Sequence, residues 1–431
     1  MALVFHNAAL EGLCVDGDYR VDRVQSIAAA LQEHGALTFA PLSTGLYPAS
    51  SAADLGVSGY ERVWVRDNVY VALALLESGR PQAAAAVAKA LIAFYRKHPH
   101  RLRASPSDGS PRGLADRPHV RFDGESLEEI SGEVWPHAQN DALGYCLWLC
   151  ARLARRQVIN PDTGDFETLA LLASYLCALR YWDDEDSGHW EETRKRSASS
   201  IGSVVAGLQE WTSLLEERSD DTAVGLSRTA LIDSAVGATQ AGLEALAGIL
   251  PAECTQPSPL QNRRYDAALL CLLYPLEVVH GGMADVILGD VHEHLQGEIG
   301  IRRYPGDSYW APDYDSRLSE ADRTRDYSED IETRNRLLEQ PGDEAQWCIF
   351  DPLISAFHGR RFLVTGAEAD LAAQALHFNR SIAQITPDWR CPELYFKQRG
   401  RFVTNAHVPL LWTQANLQLA LIALQASAAL R

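Results

Sequence analysis

The chain is poor in basic residues and holds no basic cluster: 39 Lys and Arg stand against 57 Asp and Glu, a formal net charge of −18 at pH 7. Nothing is placed to neutralise phosphates, which argues against nucleic acid as a partner. Such a balance suits a neutral ligand. No stretch approaches the roughly 20 uncharged apolar residues a membrane-spanning helix needs, so no membrane partner is expected. Met1-Ala2-Leu3-Val4-Phe5-His6 lacks both a basic n-region and a long apolar h-region, which predicts no export signal and a cytoplasmic location. Of the eight cysteines, Cys146 and Cys150 share one helix face within the apolar run Cys146-Leu147-Trp148-Leu149-Cys150. No Cys or His partner lies at zinc-finger spacing, so no metal and no cofactor are expected, and the thiols read as reduced core residues. Few runs alternate with period two, and no regular β-α-β order appears.

What the chain does have is helical periodicity. Its 431 residues are 46% hydrophobic, and segments rich in Ala and Leu repeat apolar residues at helical spacing. The spacing predicts helices near 22–34, 67–78, 81–97, 135–156, 166–181, 199–216, 222–248, 264–280, 284–296, 343–358, 367–384 and 408–428. Gly79 reads as the left-handed cap of one helix, and Pro81 suits the first turn of the next. Twelve helices of similar length without an obvious linker predict an all-α protein: one closed toroid of six hairpins, a single domain over residues 1–431. Long connections over 98–133, 183–198 and 297–342 would gather at one rim, where loops of that length build function.

Two short acidic segments stand out, Asp186-Ser187-Gly188-His189-Trp190-Glu191-Glu192 and Cys391-Pro392-Glu393-Leu394-Tyr395-Phe396. Each sets a carboxylate beside an aromatic ring. Two carboxylates near aromatic surfaces are the minimum apparatus for cutting a glycosidic bond: one protonates the leaving oxygen and the other activates water. Ring faces also pack against the C–H faces of a sugar.

The segment Glu61-Arg62-Val63-Trp64-Val65-Arg66-Asp67-Asn68 resembles the W-x-R-D signature of family 15 glycoside hydrolases, the glucoamylase family. It is especially similar to the glucoamylase-like domain of phosphorylase kinase regulatory subunits. The resemblance continues in order through Trp135-Pro136-His137-Ala138-Gln139-Asn140-Asp141, Ser187-Gly188-His189-Trp190-Glu191, Arg303-Tyr304-Pro305-Gly306-Asp307, Pro392-Glu393-Leu394-Tyr395 and Trp412-Thr413-Gln414. It implies an (α/α)6 barrel and inverting, exo-acting hydrolysis of short α-glucosides, isomalto- or malto-oligosaccharides or trehalose, with release of β-glucose. The oligosaccharide is then the expected partner. Carried over by position, Glu191 is the implied general acid and Glu393 the implied base. Arg66, Asp67 and Arg303 are implied to grip the sugar at the non-reducing end. A catalytically inactive glucan-binding module remains the alternative reading.

Each position also has a plainer reading. Arg66 and Asp67 could be a capping pair at a helix start. Glu192 rivals Glu191 as the acid, and the run Asp183 to Arg196 could be a solvated face. Asp183-Asp184-Glu185-Asp186 could instead hold magnesium and a diphosphate. Glu393 could cap a turn. Trp64, Trp190, Tyr304 and Tyr395 are expected to line the pocket, with Tyr309 and Trp310, although Trp64 and Trp135 also suit the core. Gln139 or Asp141 is expected to approach the cavity. His189 and the pair Arg194-Lys195 depart from the family pattern, as does the stretch after Asp307, which lacks the Gly-rich turn of fungal glucoamylases. These changes bear on substrate choice more than on reaction type.

Overall fold

A computed structural model of the chain describes residues 3–15, 17, 19–51, 59–103, 116–132, 135–218, 222–317, 330–338 and 342–431. Residues 104–115 of the 98–133 connection, and 318–329 and 339–341 of the 297–342 connection, lie outside the described residues.

Among the described residues, twelve helices form two concentric rings in strict alternation along the chain. The outer helices are α1 (Val21–Glu33), α3 (Pro81–Lys97), α5 (Thr163–Leu179), α7 (Arg228–Ile249), α9 (Gly281–Asp290) and α11 (Glu368–Ala383). The inner helices are α2 (Val65–Glu77), α4 (Asn140–Arg155), α6 (Ala198–Glu217), α8 (Leu270–Leu273), α10 (Phe350–Thr365) and α12 (Leu411–Ala429). Contacts run from α2 to α4, α6, α8, α10, α12 and back to α2, so the inner ring closes. This is the (α/α)6 barrel. The inner helices are apolar nearly all round, as helices surrounded by other helices must be; in α2 every residue from Val65 to Leu75 is buried.

Local chemistry sets several boundaries. Helix α2 ends in a Schellman motif: Gly79 takes φ 76°, its N–H bonds to Leu76 O at 3.1 Å, and Arg80 N–H bonds to Leu75 O at 2.8 Å. Pro81 then opens α3. Inner helices α4 and α6 approach so closely that a Cβ on Gly144 would sit 2.6 Å from the Ser203 backbone carbonyl carbon. Only glycine permits that contact, and it fixes the spacing between α4 and α6, the helix that follows the first acidic segment. Every described cysteine is free of disulfides, and no described helix is long and apolar enough to cross a membrane.

Three expected helices differ. The 135–156 helix begins at Asn140, because Pro136 holds Trp135 in extended backbone and the Asp186 carboxylate caps Asn140 N–H at 2.8 Å. The 264–280 helix reduces to a 3-10 turn and the four residues of α8; Tyr274 precedes Pro275 and is driven to φ −151°, ψ 132°. The 343–358 helix starts at Phe350, since Trp347 exchanges backbone hydrogen bonds with Ile301 instead. The sparse β structure includes β1 (Val63–Trp64), paired antiparallel with β2 (Arg121–Phe122). A three-stranded sheet holds β3 (Gln346–Trp347), β4 (Leu394–Gln398) and β5 (Arg401–Thr404) in the order β3-β4-β5.

Candidate active site

Every expected site residue lies at the N-terminal end of an inner helix or in the segment leading into it, so five of the six inner helices present expected chemistry to one rim. Arg66 and Asp67 stand in the first turn of α2. Gln139 is the N-cap of α4, and Asp141 sits in its first turn. Trp190, Glu191 and Glu192 belong to the loop before α6, pinned where Ser187 N–H bonds to Ala138 O at 2.6 Å. Glu191 itself takes the left-handed conformation, φ 58°, a geometry that costs a non-glycine residue roughly 1–3 kcal/mol and persists only where surroundings impose it. Arg303 and Tyr304 lead toward α10, and Glu393 precedes β4.

Around the first carboxylate, Trp64 Nε1 donates to Glu191 Oε1 at 3.0 Å and Gln139 Nε2 approaches the same oxygen at 3.4 Å. Arg66 Nη2 stands 3.6 Å from it. The guanidinium of Arg66 is fixed from behind: Nη1 reaches Asp141 Oδ2 at 2.5 Å and Gln139 Oε1 at 3.3 Å, and Nη2 donates to His189 O at 3.0 Å. Asp141 is wholly buried. Burial alone would raise its pKa, yet Arg66 and the nearby His189 hold the carboxyl below the usual range. His189 is pulled down to about 4 by burial, so its ring is neutral, with Nε2 at 3.3 Å from the Tyr145 hydroxyl. Its departure from the family pattern thus serves the inner wall rather than the sugar.

Glu192 faces the other way. It is 1% exposed and sits among Arg263 Nη2 at 2.9 Å, Arg303 Nη2 at 3.7 Å and Lys195 Nζ at 3.9 Å, with the Tyr304 hydroxyl donating to it. Glu191, its side chain 20% exposed, is the carboxylate that faces the opening. Tyr304 spends its hydroxyl on Glu192, and the Arg263 guanidinium covers its ring at 3.3 Å.

Around the second carboxylate, three donors converge. Tyr60 Oη donates to Glu393 Oε1 at 2.7 Å, while His407 Nδ1 stands 2.7 Å from Oε2 and Asn405 Nδ2 donates to that same oxygen. The two carboxylates belong to one constellation: Trp64 bonds Glu191, Tyr60 bonds Glu393, and the two rings meet with centroids 5.3 Å apart. Asp67 lies between them electrically. Burial pushes its carboxyl up to about 7 against the pull of Arg66, and Glu191 and Glu393 both add to the rise.

Arg303 is held by Asp307 through two bonds of 2.7 Å, from Nε and Nη2, which leaves Nη1 for a ligand. Its guanidinium stands over Trp190 at 5.2 Å, Trp347 at 5.0 Å and Tyr309 at 4.9 Å, an aromatic cage that holds the planar fork in place. Trp190 Nε1 donates to Asp266 Oδ1 at 2.8 Å.

Two expectations are corrected. Tyr395 does not join the site: its ring stacks on His6 at 4.3 Å and its hydroxyl donates to Gln384 O at 2.8 Å, because strand alternation turns it toward α11. The acidic run 183–186 is not an open cation site: Asp184 takes a two-bond pair from Arg117, Asp183 pairs with Arg196 at 3.2 Å, and Asp186 caps Asn140. Asp141 acts through Arg66, whereas Gln139 touches Glu191 itself. Sequence reasoning missed Tyr60, Asn405, His407, Trp347 and Arg263. Asp307 was legible, four residues after Arg303 in the same quoted segment; Asn405 and His407 become visible only once the β4-β5 turn at Arg399-Gly400 is recognised.

Comparison with known proteins agrees with this geometry. Residues 23–235 match the model for Glycosyl hydrolases family 15, a span that includes Trp64, Arg66, Asp67 and Glu191. Over 206 residues the chain is 27% identical to the uncharacterized lipoprotein YgeQ of Escherichia coli (strain K12), covering 43% of this chain and 78% of that protein. A solved glycosidase shares the fold with TM-score 0.67 at 17% identity, covering 94% of this chain and 97% of the other. Glucoamylase from Saccharomycopsis fibuligera does so with TM-score 0.61 at 14% identity, covering 96% and 98%. The family match over the first carboxylate and the shared barrel over nearly the whole length lead to one conclusion: the chain is a glucoamylase-like glycoside hydrolase, with residues 23–235 matching glycosyl hydrolases family 15.

Proposed function

We propose that this glycoside hydrolase is an inverting, exo-acting α-glucosidase of short oligosaccharides, with Glu191 as general acid and Glu393 as general base. The observation that carries the reading is the joining of both carboxylates to adjacent rings of one wall, Trp64 and Tyr60, with Asp67 between them. The proton of Glu191 passes to the glycosidic oxygen as the C1–O bond breaks and its electron pair stays on the leaving oxygen. A water oxygen bonds C1 from the opposite face and gives its proton to Glu393. Inversion needs the carboxyls separated by roughly 6.5–9.5 Å, room for that water; that each carboxylate is bonded by a different ring of the Trp64–Tyr60 pair supports this reading.

Exo-action rests on the clamp. Asp67 accepts from sugar hydroxyls, and Arg303 Nη1 donates to them, while the aromatic cage packs the ring's C–H faces. Trp64, Arg66, Gln139 and Trp190 complete that end of the pocket. Maltose, isomaltose and trehalose are the substrates to try first, since the site presents paired rather than surplus charge. Incubating the protein with these α-linked disaccharides and following the product by NMR is expected to show β-glucose first. An α-anomer as first product would contradict the roles given to Glu191 and Glu393. Saccharide binding with no glucose released anywhere between pH 4 and 8 would make the chain a glucan-binding module instead.

A further inference from the structure

We propose that His407 is a positioning residue of the hydrolysis, holding the Glu393 carboxylate in the orientation from which it takes the proton of water. The inference rests on the assignment of Glu393 as the base.

The imidazole is buried, with Nδ1 2.7 Å from Glu393 Oε2. An ionised carboxylate only accepts, so the hydrogen of that bond sits on Nδ1. Backbone bonds hold both partners in register: Glu393 N–H donates to His407 O at 3.3 Å, and Cys348 N–H donates to Glu393 O at 2.9 Å. Tyr60 lies flat on the imidazole, centroids 3.6 Å apart at 13°, while the edge of Trp310 closes the other direction at 6.1 Å. The same Tyr60 sends its hydroxyl to Glu393 Oε1 at 2.7 Å. One ring stack therefore aims a donor at each carboxylate oxygen, and Asn405 Nδ2 adds a third. A carboxylate offers about four acceptor positions, so about one remains for water. Without His407, rotation about the end of the Glu393 side chain is opposed on one oxygen by Asn405 alone, and a displacement of about 1 Å at a reacting group costs about 100-fold in rate.

Packing and hydrogen bonding can be separated by two variants. His407→Phe keeps an aromatic ring under Tyr60 but removes the donor. His407→Asn removes the ring and places an amide N–H near the position of Nδ1. Both are assayed for kcat and KM on a disaccharide that the wild-type protein hydrolyses, with thermal unfolding and saccharide binding as controls. The Phe variant is expected to lose about 100-fold in kcat with KM little changed, the signature of an interaction used in the transition state. The Asn variant is expected to recover most of that loss. Wild-type kcat in the Phe variant, or an Asn variant that folds and binds saccharide yet turns over as slowly as Phe, overturns the proposal. Should His407→Phe fail to fold, the Asn variant decides alone: a loss as large as that predicted for Phe sinks the idea. A wild-type protein that hydrolyses nothing would remove the base assignment itself, an outcome distinct from an active wild type with an unaffected Phe variant.

Discussion

Glu191 and Glu192 are neighbours in sequence with opposite surroundings, and replacing each by Gln separates chemistry from stability. Glu191→Gln keeps an oxygen for the Trp64 N–H and leaves Arg66 its tight partner Asp141. Its structural cost is therefore expected to stay under about 1 kcal/mol. What it loses is the acidic proton, and removal of a positioned general acid costs about 10²–10⁴-fold in rate. Glu192→Gln does the reverse. The side chain is fully packed, and its charge offsets Arg263, with Arg303 and Lys195 nearby. Breaking a buried ion pair from one side costs about 3–5 kcal/mol. The lower end applies here, because Arg303 keeps its two bonds to Asp307 and Arg263 keeps Asp266 at 2.9 Å. About 3 kcal/mol is thus expected from urea unfolding, with saccharide turnover per folded molecule reduced far less than in Glu191→Gln. The measurements are kcat on an α-linked disaccharide and the unfolding free energy of each variant. If Glu191→Gln retains more than a few percent of the rate while Glu192→Gln folds normally and is inactive, the acid is Glu192 and the orientation argued here is wrong.

Two further outcomes follow from groups away from the reacting atoms. Burial, with the charges of Asp141 and Asp184, pushes the Asp186 carboxyl up to about 7, as burial does for Asp67. A carboxyl raised in the folded state binds more protons there than in the unfolded chain between about pH 4 and 7, so stability falls as pH rises through that window. Asp186→Asn is expected to flatten the dependence of unfolding free energy on pH, and an unchanged slope would contradict the buried environment. Tyr395→Phe removes only the bond to Gln384 O; a loss of about 1 kcal/mol in stability with unaltered kcat is expected, and a large fall in kcat would return Tyr395 to the site.

Helical periodicity was sufficient for the barrel because the inner and outer helices differ from solvent-exposed helices only in how much of their circumference is apolar, a property written into each segment. Nine of the twelve helices follow from that pattern with shifts at their ends, while α10 starts seven residues later than the pattern places it. The turn after α2 was legible for a similar reason: Gly79 and Pro81 carry their backbone preferences locally. The first helix to depart, α4, does so because Asp186, 46 positions away, supplies the cap. Helix α8 shrinks because Pro275 stops a segment whose apolar period alone cannot reveal its end.

The candidate site divides along the same line. Sequence alone named Glu191, Glu393, Arg66, Asp67 and Arg303, since the motifs that carry them are contiguous. Tertiary structure decided which of two adjacent carboxylates faces the opening, which residues stand behind Arg66, and that Tyr60, Asn405 and His407 hold Glu393. Those partners are 333, 12 and 14 positions from Glu393, and only the closure of the inner ring and the fold-back of β5 on β4 bring them together. Side-chain direction at Glu191 depends on a left-handed backbone angle that no residue type there announces. Residue order specified the helices because their information is local; the chemistry required the barrel because hydrogen-bond partners are chosen in space.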